Sequence, residues 1–139
     1  MKIDLDFISH LLRDENHVAY VFCIYVDRNS GQIHILYDDD EDAECEGLPD
    51  GENRQLREQI NASLDDFVAI PFPTHGMAHQ WFQDFSGLSD VTYVGSIGAS
   101  LKQHGGDAIR QDWQEYFDLR VGEYAEIKLR DAGVNPEPQ

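Results

Sequence analysis

The alternation of apolar and polar positions is clearest near the N-terminus. The run Val18 to Val26 is apolar, β-branched and aromatic, and it predicts a strand. Asp27-Arg28-Asn29-Ser30-Gly31 follows as a turn cluster, with Gly31 able to take the positive φ that a hairpin turn requires. In the next run, Gln32 to Tyr37, the residues Ile33, Ile35 and Tyr37 alternate with Gln32, His34 and Leu36. The two runs predict an antiparallel hairpin. Phe67 to Ile70, closed by Pro71 and Pro73, reads as a short third strand that joins it.

Elsewhere the period is helical. Leu5, Ile8 and Leu12 form one stripe, and Asp4 and Asp6 sit where they complement the helix dipole. Leu56, Ile60 and Leu64 predict a helix from Asn53 to Leu64, with Arg54 and Arg57 placed to pair with Glu58 and the acidic residues before it. Thr74 is an N-cap for a helix carrying Met77, Trp81 and Phe85, which Gly87 is expected to end. Val91 to Gln103 carries a helical stripe weakened by Gly95 and Gly98. Asp107 opens a helix through Trp113, and Gly122 separates it from a last helix, residues 123–132, with Gly133 as its C′ residue. The expected fold is α+β: a small antiparallel sheet, hairpin plus third strand, covered on one face by helices, with the C-terminal half mainly helical. Residues 1–134 are expected to form a single domain and residues 135–139 a disordered tail.

Charge adds the main functional hint. The 139 residues hold 27 Asp and Glu against 10 Lys and Arg, a net charge of −17. Such a surface repels phosphates and anionic membranes and attracts basic partners. With the basic residues scattered among carboxylates, direct nucleic-acid binding is disfavoured. No run approaches the roughly 20 apolar residues that span a bilayer, and MKIDLDFIS does not read as a signal peptide. Cys23 and Cys45 read as free thiols, and the expected location is the cytoplasm.

The order of short motifs resembles a family. A helix precedes Tyr25-Val26-Asp27-Arg28-Asn29-Ser30-Gly31; Phe67-Val68-Ala69-Ile70-Pro71 precedes a helix with Met77 and Phe82; and the chain nears its end at Ala132-Gly133-Val134. This resembles the acidic bacterial proteins grouped as uncharacterised protein family 0158, and the resemblance implies the same α+β fold without any activity. The family's basic Gly-Ala-Phe-Arg-Arg-Phe-Lys-Asp block is replaced here by Gly106-Asp107-Ala108-Ile109-Arg110-Gln111-Asp112-Trp113, in which only Arg110 is basic.

Catalytic signatures are not evident. His75 and His79 stand at i, i+4, a spacing that can grip a metal from one helix face, but Gly76 occupies the place of the HExxH glutamate and no third ligand follows at a suitable spacing. They read as surface histidines, and no cofactor is expected. Residues 38–52 carry nine carboxylates and no basic residue, and read as a loop or a strand end that frays into one. As a calcium loop the register fails, since Ala43 falls at the sixth position and Pro49 at the twelfth.

The favoured reading is a non-enzymatic interaction protein whose carboxylates meet a basic protein partner, in the manner of an inhibitor, immunity protein or DNA mimic. A metal-dependent enzyme or regulator using His75 and His79 is the alternative, and an accessory protein whose acidity only confers solubility is a third. The candidate docking residues are Asp38, Asp39, Asp40, Glu41, Asp42, Glu44 and Glu46, with Asp107, Asp112, Glu115 and Asp118 as a second patch. Because the first run contains no cation, neutralising Asp38 to Asp42 is expected to leave stability unchanged or slightly raised. The oligomeric state is left open.

Overall fold

The computed structural model describes residues 2–13, 21–89, 91–105 and 107–136. Val18, Ala19 and Tyr20 of the expected first strand, and the break expected at residues 14–17, lie outside them. The fold is α+β. Two compact units are present: one holds the residues up to Phe72 together with those from Tyr124 onward, the other runs from Pro73 to Glu123.

In the first unit, helix α1 (Leu5–Arg13) buries Ile8, Leu11 and Leu12. Asp4 Oδ1 accepts from the Phe7 N–H at 2.9 Å, satisfying one of the free donors at the helix start. The hairpin of β1 (Val21–Asp27) and β2 (Ile33–Tyr37) is antiparallel, and β3 (Phe67–Ile70) pairs antiparallel with the other side of β1, giving the order β2-β1-β3. The turn is held by Asp27, whose Oδ1 accepts from Asn29 N–H and Ser30 N–H. Gly31 has φ 78°, as the turn demands. Ile24 sits between Ile35 and Ile70, and Val26 between Ile33 and Val68, so the middle strand is wholly buried at both positions.

Helices cover both faces of the sheet, not one. Leu36 packs with Ile60 and Phe67, whereas the adjacent Tyr37 packs with Val21 and Ala43. Consecutive strand residues point to opposite faces, so α3 (Glu52–Ala62), which carries Ile60, and α2 (Asp40–Cys45), which carries Ala43, lie on opposite sides. A register shift at Phe22 lets Val21 and Cys23 both turn inward and leaves Phe22 exposed.

The second unit contains α4 (His75–Ser89), α5 (Ile97–Gln103) and the first part of α6 (Asp107–Asp131). Thr74 Oγ1 caps α4 by accepting from Met77 N–H at 3.1 Å, and Ser96 Oγ caps α5 by accepting from Ala99 N–H at 3.0 Å. Phe82, Phe85, Val91 and Leu101 form the core, with Trp113 edge-on to Phe82 at 5.1 Å. Gly87 does not end α4, which runs on to Ser89.

Gly122 likewise fails to break α6. A helical glycine costs about 1 kcal/mol relative to alanine, and burial of Val121 and Ala125 on either side outweighs it. Gly133, at φ 83°, closes this helix as expected; Val134 N–H bonds back to Leu129 O at 2.9 Å. Within the first unit, Tyr124 donates to Pro71 O at 2.7 Å. Of the expected tail, Asn135 accepts from Arg130 and Pro136 is buried, while residues 137–139 lie outside the described residues.

Candidate functional site

The acidic run Asp38–Glu46 is a short helix with its two ends, not a loop. Asp39, in an extended conformation, is its N-cap and accepts through Oδ1 from Glu41 N–H at 2.7 Å. Asp40, Glu41 and Asp42 then occupy the first turn, where the exposed N–H groups favour negative charge. Ala43 is the inward-facing residue. Part of the repulsion among these carboxylates is thus offset by the helix they start.

Asp40 has a further anchor. Its Oδ1 accepts from Asn53 Nδ2 at 3.0 Å and from Arg57 Nη2 at 3.2 Å. The Asn53 hydrogen bond first, and the Arg57 guanidinium after it, hold the Asp40 carboxyl below the usual carboxylate range. Asn53 is 2% exposed. Its Oδ1 accepts from Tyr37 N–H at 2.9 Å and its Nδ2 donates to Tyr37 O at 3.1 Å. One amide therefore ties the end of β2, the start of α2 and the first turn of α3 together. Burial, and then the Glu46 carboxylate, push the Tyr37 phenol up.

Of the seven carboxylates, Asp38, Asp39, Glu41, Glu44 and Glu46 are exposed, and Asp40 and Asp42 are half-buried. The second set lies on α6 within the other unit. Asp107, Asp112 and Glu115 are exposed, and Asp118 is half-buried. At about 100° per residue these four fall within an arc of about 140° on one side of the helix. Glu115 accepts from Gln111, and Asp118 from Gln114 at 2.8 Å. The structure gathers each set on its own helix; the sets belong to different units.

His75 and His79 are both exposed on α4, and the His79 ring meets Tyr93 edge-on at 5.9 Å. Among the described residues no three His, Cys, Asp or Glu side chains cluster closely enough to hold a metal ion. Cys23 is buried, with burial pushing its thiol up, and Cys45 is exposed on the acidic helix; both are free. Among the described residues no helix is long and apolar enough to cross a membrane.

Comparison with protein-family profiles, with curated proteins and with solved structures finds no match for this chain.

The residue that pattern reading passes over is Asn53. Its spacing to Leu56 and Ile60 puts it on the apolar stripe of α3, and a polar side chain on a buried stripe must find hydrogen-bond partners.

Proposed function

We propose that this chain is a non-enzymatic acidic protein that docks a basic protein in the cytoplasm, occupying the partner's cationic surface as an inhibitor, immunity protein or DNA mimic does. The observation that carries the proposal is the anchoring of α2. Its carboxylates ride on a helix pinned through Asp40 to Asn53 and Arg57, with Asp38, Asp39, Glu41, Glu44 and Glu46 left exposed. A pinned array loses less conformational freedom on binding than a loop would. The surrounding charge of −17 steers a cationic partner towards it. The α6 carboxylates give the second unit an acidic face of its own. The likeness to family 0158 belongs to the same proposal and brings no activity with it.

Retention of cytosolic proteins on the immobilised full chain tests this. Basic proteins should be held at low salt, be released at high salt, and be held poorly by a chain with Asp38→Asn, Asp39→Asn, Glu41→Gln and Asp42→Asn. Retention of proteins without basic character, or retention indifferent to salt and to these substitutions, contradicts the proposal.

A further inference from the structure

We propose that the outer edge of β2 is a strand-addition site for an extended basic segment of the partner; this rests on the docking reading above and specifies where and how the partner is held.

β2 is an outer strand of the described sheet. Asp27 N–H donates across the hairpin to Gln32 O at 2.9 Å. By the alternation of an antiparallel ladder, the backbone groups of residues 32, 34 and 36 face β1, and those of Ile33, Ile35 and Tyr37 face outward. The bonds at Tyr37 show this edge in use: the Asn53 amide takes its outward N–H and C=O together, as one residue of a neighbouring strand would. Ile35 and Ile33, next along the same edge, present donor–acceptor pairs in the same direction.

Beside this edge lies a cleft of about 470 Å³. Phe7, Ile33, Ile35 and Leu48 give it an apolar lining, while Gln55 and Gln59 of α3 give it a polar side that carries one carboxylate, Glu52. Among the described residues that line it there is no Lys or Arg, and His34 completes its polar lining. Tyr37, at one end, leads directly into the exposed carboxylates Asp38 and Asp39. An added strand turns alternate side chains to opposite faces. A segment that alternates apolar with basic residues therefore matches both sides at once: backbone bonds to Ile33 and Ile35 give affinity, and charge gives selectivity.

The test adds a short synthetic peptide of alternating valine and lysine to the full chain and follows backbone amide exchange. At saturation the Ile33 and Ile35 amides should exchange about tenfold more slowly or better. Methylating every internal amide of the peptide should weaken binding by about tenfold or more, and a valine–glutamate peptide should not bind. If the methylated peptide binds as well as its parent, or if Ile33 and Ile35 exchange is unchanged at saturation, the edge is not the site and charge-based docking stands without it. If the valine–glutamate peptide binds equally, the inference fails and the acidic docking reading fails with it. Absence of binding by the valine–lysine peptide also overturns the inference, leaving docking to be judged with whole proteins. Protection of both amides in the protein alone that disappears on dilution assigns the edge to a second copy of the chain and likewise overturns it.

Discussion

The side-chain amide of Asn53 bonds both backbone groups of Tyr37, its Oδ1 accepting at 2.9 Å and its Nδ2 donating at 3.1 Å. This pairing ends β2 and, through Asp40, fixes the acidic helix beside it. Replacing Asn53 with alanine orphans both Tyr37 groups and removes the first donor to Asp40. An orphaned buried polar group costs about 1–3 kcal/mol, so Asn53→Ala should destabilise the fold by about 2–4 kcal/mol in urea unfolding. A loss below about 0.5 kcal/mol, the ordinary scale of surface substitutions, would mean that the pairing contributes little.

Asp40 gives the acidic run a pH signature. Its carboxyl titrates below the ordinary value of 3.8 in the folded protein. Its stabilising contribution is therefore complete above the unfolded-state value and is lost as pH falls through the lower folded-state value. Asp40→Asn should be less stable than the parent at neutral pH, by a margin that holds to about pH 5 and closes in stronger acid. Urea midpoints for both chains across this range check it; a margin that persists unchanged below the folded-state titration would contradict it.

The Asp40 contacts to Asn53 and Arg57 divide the expectation that neutralising all of Asp38 to Asp42 leaves stability unchanged or raised into two measurable cases. Neutralising Asp38, Asp39, Glu41 and Asp42 alone should have that outcome, since asparagine at position 39 still caps α2. Adding Asp40→Asn should reverse it, because the Arg57 ion pair is lost. Thermal unfolding of the two multiple variants separates these outcomes.

Much of the fold is legible in the pattern of residues, because the hairpin and the long helices repeat apolar positions at their own periods. Ile24, Val26, Ile33 and Ile35 pair as alternation predicts. The acidic helix is not legible in this way. It has six residues and a single buried one, Ala43, too few to display a period, and its like charges suggest a loop until the N-cap role of Asp39 is recognised. Gly87 and Gly122 mislead for another reason: local propensity marks them as stops, and burial of Phe85 and of Val121 overrides it. For the candidate site, the charge is evident from composition alone. The cleft is not, because it depends on which backbone groups of β2 face outward and on where α3 comes to lie.

Gly87 offers a direct check on the helix boundary. It is exposed within α4, and a Cβ there would meet no atom within 4 Å. Gly87→Ala should stabilise the protein by about 0.5–1 kcal/mol. Destabilisation would place a helix stop at Gly87 after all.

The two thiols should differ in reactivity. Under native conditions Cys45 should titrate with a disulfide reagent and Cys23 should not, since Cys23 is buried and its thiol is shifted up. Denaturant should release the second thiol. Equal native reactivity would contradict the packing of β1.

The most direct measurement of the central claim is the association rate with a basic partner recovered by retention on the full chain, at low and at physiological ionic strength. It compares the parent with the chain carrying Asp38→Asn, Asp39→Asn, Glu41→Gln and Asp42→Asn, in which Asp40 and the fold are kept. Acidic docking predicts that the parent associates fast and slows steeply as salt rises, and that the variant associates more slowly with a flatter salt response. Equal rates and equal salt responses for the two chains would show that the acidic helix is ordinary solvated surface.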